Sequence, residues 1–71
     1  MIIKTDTFIS PSLRSTRAKL ASCIVSGDDL LLKDGRSLRV LRVKSYDQRI
    51  RVTFMGGRAA EFPQNMPVMC E

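Results

Sequence analysis

Apolar residues recur along this chain with two different periods, and the change falls near Ser26. Ahead of it a short β-prone stretch, Ile2 to Ile9, gives way to "SPSLRSTRAKLASCIV". Ser10 followed by Pro11 is a helix-start signal: the hydroxyl can cap free amides, and proline at the first helical position sacrifices no hydrogen bond. Leu13, Arg17 and Leu20, with Ala21, then share one side at helical spacing. The expectation is a short helix with a weak apolar stripe, whose end the pattern leaves open because Cys23, Ile24 and Val25 prefer strand.

Beyond Ser26 the period drops to two. "SGDD" is turn chemistry, and "LLLK" then runs into Asp34-Gly35, which tolerates positive φ and suits a two-residue hairpin turn between strands near 29–33 and 36–44. "SYDQ" makes a second bend. "RIRVTF" alternates, with Ile50, Val52 and Phe54 on one face and Arg49, Arg51 and Thr53 on the other. Gly56-Gly57 makes a third tight turn into "RAAEF". "PQNMP" should interrupt the ladder, because its two prolines lack the donor, and "VMC" forms the last strand.

Five short strands joined by tight turns, with a one-turn interruption before the last, predict a mainly β fold, a small five-stranded antiparallel barrel. Residues 1–26 would be an N-terminal extension with the short helix and residues 27–71 the barrel, one domain overall. One irregularity sharpens the reading. Leu38 and Val40 share a face, whereas Leu41 and Val43 have the opposite parity. Both pairs point inward only if a residue bulges near 40–41, and that bulge also turns Arg39 and Arg42 to solvent.

Composition limits what such a barrel can be. Seventy-one residues lie near the lower bound for a self-sufficient core, so pairing with a second copy is one way to gain burial. Aromatics are few (Phe8, Tyr46, Phe54, Phe62), which predicts an aliphatic core. Cys23 and Cys70 are far apart and form no metal-ligand spacing, so reduced thiols, no zinc and no cofactor are expected. The N-terminal residues lack a signal-peptide h-region, and no apolar run reaches membrane-spanning length. A cytoplasmic protein without membrane contact is the expectation.

The sequence also resembles an SH3-like barrel, and within that class the Sm-like proteins. The residues that carry the likeness are Lys33-Asp34-Gly35-Arg36, matching a hairpin of "KDGR" type, and Tyr46-Asp47, matching a "YD" turn, within residues 11–58. The resemblance implies an N-terminal helix before the barrel and binding of RNA. Arg51 stands where that family carries an Asn that contacts bases, and "GGR" at 56–58 differs from the family's second, Arg-Gly motif.

Charge then points to a function class. The net charge is +5 and histidine is absent, which favours anionic partners and argues against histidine-based catalysis. The charge is concentrated: Arg36, Arg39, Arg42, Lys44, Arg49, Arg51 and Arg58 share their stretch with a single acid, Asp47, while the rest of the chain nearly balances. Arginine outnumbers lysine there, and its planar fork suits phosphate or carboxylate. Tyr46 is the one aromatic placed to stack on a base.

Asp28, Asp29 and Asp34 beside glycines read as turn residues rather than a cation site, and Met55, Met66 and Met69 as core or rim filling. Serine and cysteine without a base give no nucleophile, so no enzyme is expected. Two readings follow. One is a nucleic-acid-binding barrel whose arginine face contacts RNA or DNA phosphates. The other is a small phage- or plasmid-type inhibitor or adaptor docking on an acidic protein or ribonucleoprotein surface.

Overall fold

Alternation in the sequence carries over most directly at Arg49–Phe54: Ile50, Val52 and Phe54 are buried, and the residues between them are not. The computed structural model describes residues 2–9 and 17–71. In it seven strands follow one another: β1 (Ile2–Ile3), β2 (Ala18–Leu20), β3 (Asp29–Leu31), β4 (Ser37–Tyr46), β5 (Arg49–Phe54), β6 (Ala59–Pro63) and β7 (Pro67–Met69). Single 3-10 turns span Thr5–Thr7 and Ala21–Cys23. The fold is mainly β, a half-barrel.

Five strands form one curled sheet in the order β1-β6-β5-β4-β3, and β2 and β7 form a second, two-stranded sheet. The five-stranded sheet is mixed rather than fully antiparallel, because β1 runs parallel to β6, with Ile2 opposite Ala59 and Ile3 opposite Ala60. The expected last strand does exist, as β7, but it pairs with β2 instead of joining the large sheet. A lone bridge between Leu30 and Cys70 ties it to β3.

The described residues contain no α-helix, so from residue 18 onward the expected N-terminal helix is replaced by strand and a 3-10 turn. Ser10, Pro11 and Leu13 lie outside the described residues. Of the remaining helical stripe, Leu20 is in β2 and 40% exposed, while Ala21 opens a 3-10 turn. The physical reason lies in where the amides go. Ala21 N–H donates to the Met66 carbonyl (2.8 Å) and Ser22 N–H to that of Gln64 (3.1 Å), so the connection between β6 and β7 satisfies donors that a short, weakly striped helix would have to satisfy alone.

The bulge occurs where the parity conflict demanded it. Val40 pairs with Phe54 and Arg42 with Thr53, leaving Leu41 as the extra residue. Its effect differs in one respect from expectation. Val40 is buried and Val43 packs against the core, but Leu41 is 53% exposed, because the extra residue itself is extruded.

Turn chemistry also departs by one residue at Asp34-Gly35. Among the described residues no non-glycine has positive φ, so Asp34 does not share the left-handed region with Gly35 (φ 92°). Gly35 N–H instead closes a four-residue turn on the Leu32 carbonyl (3.0 Å), and Leu32 N–H donates to the Arg36 carbonyl (2.7 Å). This is a three-residue connection ending in a left-handed glycine. Gly56 and Gly57 both take positive φ, as a tight turn at that place requires.

Prolines sit inside strands after all, at their ends. Pro63 closes β6 opposite Arg49, and Pro67 opens β7. Phe54 N–H donates to Arg58 C=O (2.7 Å), and counting along the ladder from there turns the nitrogen of Pro63 away from β5, so its missing donor breaks no β5–β6 bond.

The core is centred on aromatic rings despite their scarcity. Phe8 is fully buried, stacked on Phe54 (5.7 Å between centroids, 24° between planes) and edge-on to Phe62 (5.1 Å, 70°). Leu30, Val40, Val52 and Val68 pack around them, with no polar or charged side chain buried among the described residues. Burial of three rings supplies much of the apolar area that a chain of this size needs.

Candidate functional site

Parity and register decide which cations meet. In β5 the residues between the buried ones, Arg49, Arg51 and Thr53, form its outer face. Antiparallel partners point to the same side of a sheet, so the register extends that face across three strands. One row holds Arg42, Thr53 and Ala59. The next holds Lys44, Arg51 and Glu61, and the last Tyr46, Arg49 and Pro63. Four cations therefore gather on one exterior surface with a single acid.

Among the described residues Arg42, Lys44, Arg49 and Arg51 make no ion pair, and Glu61, although opposite Arg51, lies beyond ion-pairing distance. Lys44 places its ammonium 5.3 Å from the ring centroid of Tyr46. A cation over the ring holds the ring's orientation and occupies one of its faces. Tyr46 remains 45% exposed, so part of the side chain is still open to solvent.

The other basic residues of the predicted site are placed differently. Arg39 is also on the exterior, but it faces Asp29 across the β3–β4 ladder and donates to it through Nε (3.2 Å) and Nη2 (3.4 Å). Arg36 reaches back to Asp34, with Nε at 2.8 Å and Nη2 at 2.7 Å from Oδ2. Each hydrogen-bonded carboxylate raises the pKa of its arginine. Arg58 stands apart, beside a small cleft of about 160 Å³ whose other walls are Ile3, Thr7, Leu32, Arg36 and Leu38. Eight predicted residues thus separate into a cluster of five (Arg42, Lys44, Tyr46, Arg49, Arg51) and three outliers.

The aspartates that read as turn residues have a second role that sequence reasoning missed. Asp34 does cap its own turn, accepting from the Arg36 amide (3.0 Å) as well as from its side chain. Asp28 accepts from Lys19 Nζ (2.9 Å) and from the Val25 amide (3.0 Å), and Asp29 neutralises Arg39. The signal lay in turn length. A two-residue turn at 34–35 would set Asp29 opposite Val40, and the observed three-residue connection shifts it onto Arg39.

Burial raises the pKa of Asp28, but bonds from Lys19 and Val25 outweigh it and the net shift is downward. Cys23 is exposed and Cys70 buried, both as free thiols, and burial pushes the Cys70 thiol upward. Among the described residues no group of three or more His, Cys, Asp or Glu converges in a way that would hold a metal. No helix among them is long and apolar enough to cross a membrane. The chain matches no protein-family model, no curated protein and no solved structure.

Proposed function

We propose that this protein is a non-catalytic nucleic-acid-binding module, with Arg42, Lys44, Arg49 and Arg51 contacting phosphates and the exposed part of Tyr46 meeting a base. The observation that carries the reading is that these four cations share one surface without carboxylate partners among the described residues. Lys44 lies directly opposite Arg51, an arrangement that costs folding free energy. Phosphates reverse that sign, because each one neutralised releases condensed counterions. In this reading the half-barrel is SH3-like, of the Sm-like kind, on the order of its elements and its bent β4. Arg36 and Arg39, already neutralised by Asp34 and Asp29, contribute little, and Arg58 contacts nucleic acid only at the margin.

A second reading, a phage- or plasmid-type inhibitor or adaptor that docks on an acidic protein surface, draws support from a different observation. Leu41 and Met55 are each more than half exposed at the bulged end of the β4–β5 ladder. Apolar anchors beside arginines suit a protein interface and are unnecessary for phosphate contact.

Fluorescence anisotropy with labelled single-stranded RNA and DNA 12-mers, titrated at several salt concentrations, tests the choice. Four phosphate contacts predict a log–log salt slope of about −3, falling by roughly 0.7 for each arginine removed. Absence of oligonucleotide binding at low salt overturns the nucleic-acid reading.

A further inference from the structure

Strand β4 is longer than the neighbour that covers it. Its first part is paired with β3, but that ladder ends at Arg39. Asp28 and Gly27 continue it by one step, through Val40 N–H to Asp28 C=O (2.7 Å) and Gly27 N–H to Val40 C=O (2.9 Å). The Ser26 hydroxyl then donates to the Leu41 carbonyl (3.1 Å). From Arg42 to Tyr46 only β5 accompanies β4, and the opposite edge has no neighbour among the described residues.

Which backbone groups line that edge follows from the ladder. Phe54 N–H bonds to Arg58, on the β6 side, so Val52 and Ile50, of the same parity, also bond to β6. Their partners on β4, Val43 and Ser45, therefore turn their own N–H and C=O groups away from β5. Two donors and two acceptors, spaced as a strand presents them, face outward. Such an edge is a template for another strand.

We infer that the Arg42–Tyr46 edge of β4 captures an extended segment of another protein, acidic at alternate residues, which adds to the sheet as a sixth strand. Side chains on the edge choose the occupant. Arg42 and Lys44 stand on the outer face, with Arg51 and Arg49 one strand further in, so alternate carboxylates on the added strand would meet cations. The residues between them would fall on the inner side next to Val43, which is half-buried and packs against the core, and apolar side chains fit there. A second copy of this chain is the wrong occupant, because pairing β4 with β4 sets cations opposite cations. The phosphate reading does not require this edge, since it uses side chains and leaves the Val43 and Ser45 backbone groups in water.

The test uses the whole chain, isotopically labelled, with three probes: a blocked heptapeptide alternating Glu and Val, the same peptide with Lys for Glu, and a 12-mer of polyuridylate. The expected result is that the Glu/Val peptide slows amide exchange at Val43 and Ser45 by about ten-fold or more, while neither other probe does. Ser45→Pro removes one outward donor at a strand edge where proline is tolerated. It should weaken the Glu/Val peptide by about ten-fold and leave polyuridylate binding within about two-fold.

The inference is overturned by unprotected Val43 and Ser45 amides at saturating peptide, by equal capture of the Lys/Val peptide, or by the same protection from polyuridylate. Protection that rises with protein concentration in the absence of peptide would mean self-pairing and overturns it as well. Should Ser45→Pro fail to fold, exchange in the unaltered chain decides. Loss of polyuridylate binding with peptide capture intact would strike the phosphate reading alone.

Discussion

Lys44 stands directly across the β4–β5 ladder from Arg51, on the outer face of the sheet, and neither has a carboxylate partner among the described residues. Only Glu61, on the far side of Arg51, tempers the repulsion. One strand over, the equivalent exterior position of Arg39 is matched with Asp29. The same sheet therefore neutralises its cations in one ladder and leaves them bare in the next. That contrast separates an ordinary solvated surface from a surface that stores repulsion.

Replacing Arg49 and Arg51 together by Ser tests the stored repulsion. Relief of like-charge pairing should leave the melting temperature unchanged or slightly raised, since cross-strand pairs of this kind matter at about 0.2–1 kcal/mol. Oligonucleotide affinity should fall, and the log–log salt slope should shrink by roughly 1.4 for two lost phosphate contacts. Circular dichroism and anisotropy read the two quantities separately. An unfolded double variant would make the pair structural and remove it from the site.

The matched comparison is Arg39→Ser against Arg42→Ser. Both residues are exterior on β4, on either side of the Leu41 bulge. Arg39 is already held by Asp29, so its loss should barely change the salt slope, whereas loss of Arg42 should reduce it by roughly 0.7. Equal effects from the two would show that net charge, and not the bare cluster, governs binding.

The bulge and the alternation of β5 were legible in the sequence because both rest on parity, which local residues set. Leu38, Val40, Leu41 and Val43 cannot all be reconciled with one register, and the structure resolves them with the extra residue at Leu41. The route of residues 18–23 was not legible. Helical spacing of Leu20 and Ala21 is a local signal, and it lost to pairing with Pro67–Met69, a partner nearly fifty positions away. The neutralisation of Arg39 was hidden for a third reason. It depends on whether the turn at Gly35 has two residues or three, and one residue of difference turns Asp29 to the other face.

Gly35→Val tests that turn. Gly35 has a φ of 92°, and an added Cβ would meet nothing within 4 Å, so the cost comes from backbone conformation alone. A β-branched residue there should cost about 1–2 kcal/mol and lower the melting temperature by roughly 5–15 °C. Oligonucleotide affinity in the folded state should stay unchanged, because the cluster of five lies at the other end of β4. A melting temperature equal to that of the unaltered chain would show that the turn adopts another conformation.

Asp28 gives the fold a pH dependence whose direction is fixed. Its carboxylate bridges Lys19 on β2 and the Val25 amide, and its pKa lies below the ordinary 3.8. A lowered carboxylate pKa contributes stability that is whole above 3.8 and is lost as pH falls through the folded value. Lys19 is raised above 10.5 by the same bond, so its share is whole below that value and is lost as pH rises through the raised one. Between those limits Asp28→Asn should cost about 1 kcal/mol, a modest figure because Lys19 is partly exposed and the pair is screened. Thermal melts of both proteins should converge as pH drops below the carboxylate range. A gap that persists at low pH would assign the effect to Asn itself and not to the ion pair.

Phe8 joins the N-terminal segment to the core of the half-barrel, where it packs on Phe54 and Phe62 and forms a bridge with Leu32 of the first hairpin. It is fully buried, so Phe8→Ala leaves a ring-sized void between two other rings, at a cost of about 3–5 kcal/mol. For a domain of this size that approaches the whole margin of stability. The variant should melt at least about 12 °C lower, at roughly 4–8 °C per kcal/mol, or be unfolded at room temperature, and show broad exchange across Val52, Phe54 and Phe62 amides. Phe8→Leu, which refills most of the space, should recover over half of the loss. If instead Phe8→Ala melts within a few degrees of the unaltered protein, residues 2–9 do not build the core, and the half-barrel must close through β3 to β7 alone.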